Sequence, residues 1–106
     1  MDRRILDAFR EMKRDCAQRL KVSQLAARAG LSRSRFEHLV KAETGECFNR
    51  CLRQFRLTKA RSLLTDSNLS IKVVAGQCGY SSTTSFSRDF KKFLHASPAE
   101  YRRSTF

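Results

Sequence analysis

Apolar residues recur along this chain at helical spacing, and no stretch alternates apolar and polar residues over the length of a strand. The pattern is longest from Phe48 to Leu64, where arginine and lysine occupy much of the surface between the apolar positions. A continuous helix of these 17 residues would span about 25 Å, at about 1.5 Å per residue. The spacing therefore predicts an all-α chain with one long central helix.

Six further segments have helical spacing, and they are predicted at Arg3–Leu20, Val22–Ala29, Ser32–Glu43, Ile71–Cys78, Ser82–Leu94 and Pro98–Arg103. Ser32 and Ser70 can cap helices, because a serine hydroxyl accepts a backbone N–H of the first turn. Gly30 suits the left-handed backbone that ends a helix, and Gly45 is expected to end the helix before the central one. Pro98 fits a first helical position, where its missing N–H costs nothing.

The two halves of the chain repeat one pattern on either side of the central helix. A small alanine lets two helices cross closely, a glycine allows the turn between them, and apolar positions anchor both helices to one core. This is a helix-turn-helix pattern, whose second helix presents its N-terminal residues to the major groove of DNA. We predict subdomains at 1–46 and 65–106, joined by a linker helix at 47–64. The pairs 49 residues apart are Val22/Ile71, Leu25/Val74, Ala26/Ala75, Gly30/Gly79, Leu31/Tyr80 and Ser32/Ser81; those 50 apart are Phe36/Phe86, Val40/Phe90, Lys41/Lys91 and Arg53/Arg103.

The charge of the chain favours a polyanionic partner. Lysine and arginine number 22 against 10 aspartate and glutamate, a net charge of +12, and nucleic acid is the first candidate. A membrane surface and an acidic protein are weaker alternatives. No apolar run approaches the ~20 residues of a transmembrane helix, and the N-terminus lacks the apolar region of a signal peptide. We therefore expect a cytoplasmic protein.

The residue pattern carries no signature of catalysis or of a metal site. The cysteines, Cys16, Cys47, Cys51 and Cys78, include no C-x-x-C pair, so the usual zinc spacing is missing. Buried reduced thiols are the default in the cytoplasm. The sequence contains no Ser/His/Asp arrangement, phosphate-cradling glycine loop or paired catalytic carboxylates. We expect no enzyme activity, no metal and no cofactor.

Specific motifs run through both halves. From Ile71 the chain reads I-x-x-V-A-x-x-x-G-Y-S-S-x-x-x-F-S-R-x-F-K-K, and from Ser97 it reads S-P-x-x-Y-R. The first half contains LA-x3-GLS, SRF and K-x-ETG, followed by RL-x-x-A-x-x-LL from Arg56 to Leu64. On these motifs the chain strongly resembles, over nearly its whole length, the DNA-binding domain of bacterial AraC/XylS-type transcription regulators.

This resemblance implies seven helices, two helix-turn-helix units and a joining helix. It also implies that a monomer recognises an asymmetric duplex site and activates transcription, with two recognition helices in successive major grooves about 34 Å apart. The central helix would then be a spacer, and one residue inserted near Arg61 should rotate one half by about 100°. His95 stands where the family usually has glycine, so it must adopt a left-handed backbone or the helix must end another way.

Counted from the motifs, the positions expected to face DNA bases are Arg33, Ser34, Glu37, His38, Thr83, Thr84, Ser87 and Arg88, and those expected to contact phosphate are Arg35, Lys41, Ser82, Lys91 and Lys92. Alternatives stay open for several of them. Arg33 can reach guanine or phosphate, Arg35 can bind phosphate or base, and His38 can contact base or phosphate or remain a solvated surface residue. Glu37 can accept from a cytosine amino group or pair with Lys41. Arg88 can contact a base or adjacent phosphate, or form a salt bridge with Asp89 or Glu100. The aromatic residues expected in the core rather than on the DNA are Phe86, Phe90 and Tyr101.

Two other functions remain as alternatives: an RNA-binding or nucleoid-packaging protein, and an alkyl-accepting cysteine protein. Only about twenty residues precede the first helix-turn-helix, so we expect either a stand-alone regulator, like the smaller MarA-like members, or the C-terminal domain of a longer one. A small-molecule effector is expected only if an N-terminal domain exists. RNA polymerase is a candidate partner besides double-stranded DNA.

Overall fold

In the computed structural model, residues 1–104 are described, and they form seven α-helices and no strand. The helices are α1 (Arg3–Arg14), α2 (Val22–Arg28), α3 (Arg33–Thr44), α4 (Phe48–Asp66), α5 (Ile71–Gln77), α6 (Thr83–Leu94) and α7 (Pro98–Ser104). The predicted all-α fold with about seven helices is confirmed. Two compact units, Met1–Phe55 and Arg56–Phe106, divide the chain within α4. The end of the predicted second subdomain, residues 105 and 106, lies outside the described residues.

The first helix is shorter than its apolar spacing predicts. α1 ends at Arg14, whereas the pattern predicted an end at Leu20. A turn follows, in which Gln18 donates its N–H to the carbonyl of Asp15 at 2.9 Å. Cys16 and Leu20 still pack against the same core from this turn. Their spacing therefore reflects burial of a non-helical segment, which periodicity alone cannot distinguish from helix.

α2 and α3 form the helix-turn-helix of the first unit. Gly30 adopts φ +72° in the turn, a left-handed conformation that costs a side-chain-bearing residue more than glycine. The N–H of Leu31 reaches back to the carbonyl of Ala26 at 2.9 Å. Ser32 caps α3, since its Oγ accepts the N–H of Arg35 at 3.2 Å. The predicted turn and cap are confirmed.

The core of the first unit fixes which face of α3 points outwards. Phe36 and Val40 are fully buried on the inner face, and the ring of Phe36 meets that of Phe48 edge-on at 6.1 Å. The remaining positions of α3 near its N-terminus are consequently left to solvent. The core consists of Ile5, Ala8, Met12, Cys16, Leu25, Ala26, Phe36, Val40, Phe48, Cys51 and Leu52.

The second unit repeats this arrangement with its own core. α5 and α6 start 49 and 50 residues after α2 and α3, as the sequence repeat predicts. The N–H of Tyr80 reaches the carbonyl of Ala75 at 3.0 Å, and Ser82 Oγ accepts the N–H of Ser85 at 3.1 Å. Arg102 on α7 donates from Nε to the carbonyl of Leu64 at 3.1 Å. The buried residues are Leu57, Ala60, Leu64, Val74, Ala75, Cys78, Phe86 and Phe90, with Tyr101 half-buried against them, as predicted for the aromatic positions.

The central helix, α4, runs to Asp66, two residues beyond the end predicted at Leu64. From Leu57 onwards, its buried residues belong to the second core, which includes Leu57, Ala60 and Leu64. Insertion near Arg61 would therefore separate two residues of one core as well as changing the helical phase. An insertion near Arg61 would therefore not test the spacer role of α4 alone.

Three of the four cysteines meet the expectation of burial, and Cys47 does not. Cys47 lies just before the first residue of α4, outside the helix, and is exposed. Cys51 is buried one turn into α4, 3.7 Å from Thr44 Oγ1, and burial raises the pKa of its thiol. Among residues 1–104, no group of three His, Cys, Asp or Glu side chains could hold a metal ion. None of the helices in that range is long and apolar enough to cross a membrane.

Candidate nucleic-acid interface

The N-terminal half of α3 presents a polar face away from the core. Ser34, Glu37 and His38 are exposed and lie on one face because their spacing is three and four residues. Phe36, between them in sequence, is completely buried. A rigid helix therefore displays these side chains, and the cap at Ser32 fixes where it begins.

These side chains line a groove of about 570 Å³ in the first unit. The groove gathers all four residues of α3 predicted to face bases, together with Lys41, whereas Arg35 is not among its lining residues. The start of α4 also lines the groove, a contribution that no sequence pattern predicted. The lining residues are Val22, Arg33, Ser34, Glu37, His38, Lys41, Ala42, Cys47, Phe48 and Asn49.

Glu37 pairs with Arg33, whereas the sequence suggested either a contact with cytosine or a pair with Lys41. Its Oε1 accepts from Nε of Arg33 at 3.0 Å, one turn earlier on α3. The alternative pair with Lys41, one turn later, is not the one formed. The carboxylate is therefore already engaged on the groove face by an arginine that is itself a predicted base contact.

The N-terminal half of α6 presents shorter side chains at the equivalent positions. Thr84 and Arg88 are exposed, while Thr83 and Ser87 are half-buried. The Oγ of Ser82 accepts the capping bond, which leaves its O–H, like its backbone N–H, free to donate to a phosphate. The structure brings the four predicted base contacts to the first two turns of one helix.

Arg88 does not form the salt bridges weighed against its DNA role. Within residues 1–104, no ion pair joins it to Asp89 or Glu100. Asp89 instead accepts a hydrogen bond from the hydroxyl of Tyr80 at 3.1 Å. The exposed guanidinium of Arg88 is thus open to an external partner. Lys91 and Lys92 follow on the same helix and are also exposed.

Both units are equally basic. The first contains 13 lysine and arginine residues against 7 aspartate and glutamate, and the second contains 9 against 3, so each has a net charge of +6. An even distribution suits a polyanion that contacts both units. Each unit thus combines a helix-turn-helix, an exposed polar helix face and excess positive charge, which defines the general class of helix-turn-helix protein.

Comparisons with known proteins narrow this class. A family model described as a helix-turn-helix domain matches residues 25–104. The xylose operon regulatory protein of Escherichia coli K12 is 36% identical over 101 residues, covering 95% of this chain and 26% of that protein. The regulator AlkR of Acinetobacter baylyi is 39% identical over 84 residues, covering 79% of this chain and 28% of that protein.

Solved structures of related regulators have the same fold. The structure of the xylose-binding transcription activator xylR superposes with a TM-score of 0.90 at 35% identity, covering 98% of this chain and 27% of that chain. The DNA-binding domain of AdpA, solved with a target DNA, superposes with a TM-score of 0.87 at 31% identity, covering 93% and 89%. The chain belongs to the AraC/XylS-type helix-turn-helix family. It spans about a quarter of the length of the curated relatives it matches.

Proposed function

We propose that this chain binds double-stranded DNA sequence-specifically and regulates transcription. The observation that carries the proposal is the repeated helix-turn-helix, in which a capped helix buries its phenylalanine side and exposes a polar face near its N-terminus. Helices of this kind enter the major groove and contact base edges with their first turns. The AdpA domain was solved with DNA, and its similarity to this chain supports the same type of partner.

In the proposed complex, α3 and α6 enter successive major grooves. Base contacts come from Arg33, Ser34, Glu37, His38, Thr83, Thr84, Ser87 and Arg88, and phosphate contacts come from Arg35, Lys41, Ser82, Lys91 and Lys92. The division of labour follows from chemistry, because base edges in the major groove distinguish sequences whereas phosphates do not. The residues 47–64 act as the spacer between subdomains 1–46 and 65–106.

Selection on randomised duplex DNA tests the proposal. We expect one asymmetric consensus with two recognised segments about one helical turn apart. Binding to that duplex should exceed binding to scrambled duplex and to RNA of the same sequence. Affinity without sequence preference, or equal affinity for RNA, would favour the RNA-binding or packaging alternative that the net charge alone allows.

We further propose that the regulation is activation through RNA polymerase. The name of the similar xylR structure, a transcription activator, supports this sign of control. Transcription in vitro with bacterial RNA polymerase, from a promoter placed beside the selected site, should increase when the chain is added. A decrease would indicate repression. An effector-binding domain would lie outside this chain, so the test is made without effector.

A further inference from the structure

Arg33 and Glu37 form an ion pair on the exposed groove face of α3. Nε of Arg33 donates to Oε1 of Glu37 at 3.0 Å, and the two side chains remain 66% and 45% exposed. A guanidinium carries five N–H donors, of which this bond uses the single donor on Nε. Within residues 1–104, the four donors on Nη1 and Nη2 make no hydrogen bond, so the far end of the guanidinium remains available.

The available end matches guanine. In the major groove, guanine presents O6 and N7 as adjacent acceptors, and arginine binds both with two N–H groups. A carboxylate held at Nε does not compete with a contact made through Nη1 and Nη2. It restricts the rotamers of Arg33 before DNA arrives, which reduces the entropy lost on binding.

We propose that Glu37 is a positioning residue that orients Arg33 towards guanine, rather than a reader of cytosine in its own right. The inference rests on the proposed function, in which α3 lies in a major groove. The second unit lacks the device, because the positions 50 residues later are Thr83 and Ser87. Orientation by an ion pair is therefore specific to the first unit.

The chain provides a matched control. Glu46 pairs with Arg50 through Oε2 and Nε at 3.1 Å, with the same spacing of four residues and similar exposure, but outside α3. Glu37→Gln and Glu46→Gln each remove one negative charge and one such pair. Any general change in affinity from charge appears in both variants, so a difference between them isolates the effect of Glu37.

The test measures base preference at every position of the site that the wild-type chain selects. Arg33→Lys should reduce the preference for guanine at one base pair by about tenfold, since lysine cannot make the paired contact. Glu37→Gln should reduce it at the same base pair by about two- to fivefold, the size expected for an exposed ion pair. In the Arg33→Lys background, Glu37→Gln should add little. Circular dichroism should show that all variants fold.

Each failure has a distinct meaning. A change in Glu37→Gln at a base pair that Arg33→Lys leaves alone would mean that Glu37 reads a base directly, and the inference would be overturned. Indistinguishable preferences for Glu37→Gln and Glu46→Gln would overturn it too, as would unaltered guanine preference in Arg33→Lys. Absence of any selected site in the wild-type chain would instead refute the proposed function, and the inference with it.

Discussion

The two units share one backbone plan and differ in the side chains that they present. Helices start at equivalent positions, serines cap both α3 and α6, and buried phenylalanines, Phe36 and Phe86, occupy the same place in each core. At the four predicted base-facing positions, however, the first unit has two long charged residues joined by an ion pair, and the second has hydroxyls and a single arginine. The comparison indicates that the two units resemble each other in their cores and differ in the side chains that they expose.

The units also differ in the side-chain contacts made by the turn and by the helix that follows it. In the first unit, Leu31 and Leu39 pack against the core. Their equivalents in the second unit, Tyr80 and Asp89, form a hydrogen bond at 3.1 Å, and the tyrosine ring also meets Phe86 edge-on at 5.4 Å. Equivalent positions thus make apolar contacts in the first unit and a hydrogen bond in the second. The same turn therefore does not require the same chemistry.

Of the changes considered, inserting one alanine between Phe55 and Arg56 should have the largest effect on DNA affinity. The insertion rotates everything after it on the helix by about 100°, while each core keeps its own α4 residues in register. If both units bind at once, affinity for the selected site should fall about a hundredfold or more, the scale of a lost second contact. Electrophoretic mobility shift measures the loss.

A substitution in the same helix controls for local damage. Gln54→Ala, at an exposed position, should retain full affinity because it leaves the helical phase intact. Circular dichroism should show equal helix content in both variants. Wild-type affinity in the insertion variant would contradict the spacer role of α4.

Arg88→Ala should show whether DNA binding by α6 depends on the one long basic side chain among its predicted base contacts. We expect a loss of about 1–3 kcal/mol on the selected site and relaxed preference at one or two adjacent base pairs. Fluorescence anisotropy on single-substituted duplexes measures both. Lys59→Ala, which removes one positive charge from an exposed position outside α6 in the same unit, serves as the control. Unchanged affinity and selectivity in Arg88→Ala would exclude a base contact.

Substitutions at the residues that end α3 and α6 should change the stability of one unit at a time. Gly45 and His95 both adopt the left-handed backbone, with φ +78° and +62°. Such a conformation costs a residue with a side chain roughly 1–2 kcal/mol, so His95→Gly should raise the unfolding free energy of the second unit by about 0.5–1 kcal/mol after the added freedom of the unfolded chain is counted. Gly45→Ala should lower that of the first unit by about 1 kcal/mol, because the left-handed backbone strains an alanine. No atom lies within 4 Å of the added Cβ, so no clash adds to this cost.

Tyrosine fluorescence can follow unfolding of the second unit separately. Both tyrosines, Tyr80 and Tyr101, lie in the second unit, whereas far-UV circular dichroism reports helices in both. In urea, the fluorescence midpoint should rise in His95→Gly. A falling midpoint would mean that the imidazole stabilises the helix end by more than the backbone strain costs.

Lys92→Ala should have the smallest effect on DNA affinity, and that effect should not depend on the DNA sequence. A lysine that contacts phosphate contributes equally to all sequences, so affinity should fall a few-fold on selected and scrambled duplexes alike. The slope of log K against log salt should decrease by about one. Lys41→Ala in the first unit should behave in the same way. A loss confined to the selected sequence would assign either lysine to base reading instead.

Much of the fold could be predicted from the chain because burial imposes its own periodicity. Phe86 and Phe90 were predicted in the core from helical spacing alone, and both are completely buried. The same signal failed after Arg14, because Cys16 and Leu20 keep the spacing while packing from a turn. Periodicity reports which residues face the core, and only hydrogen bonding decides whether the backbone between them is helical.

The sequence by itself determined the all-α class, the repeated helix-turn-helix, the serine caps and the residues that α3 and α6 bury. Each depends on local spacing or on the chemistry of one residue. The tertiary structure alone decided that Glu37 pairs with Arg33 and not with Lys41, that Cys47 is exposed beside a groove, and that Ala60 and Leu64 share the second core. These outcomes depend on rotamers and on the packing of segments distant in sequence, which a linear pattern does not encode.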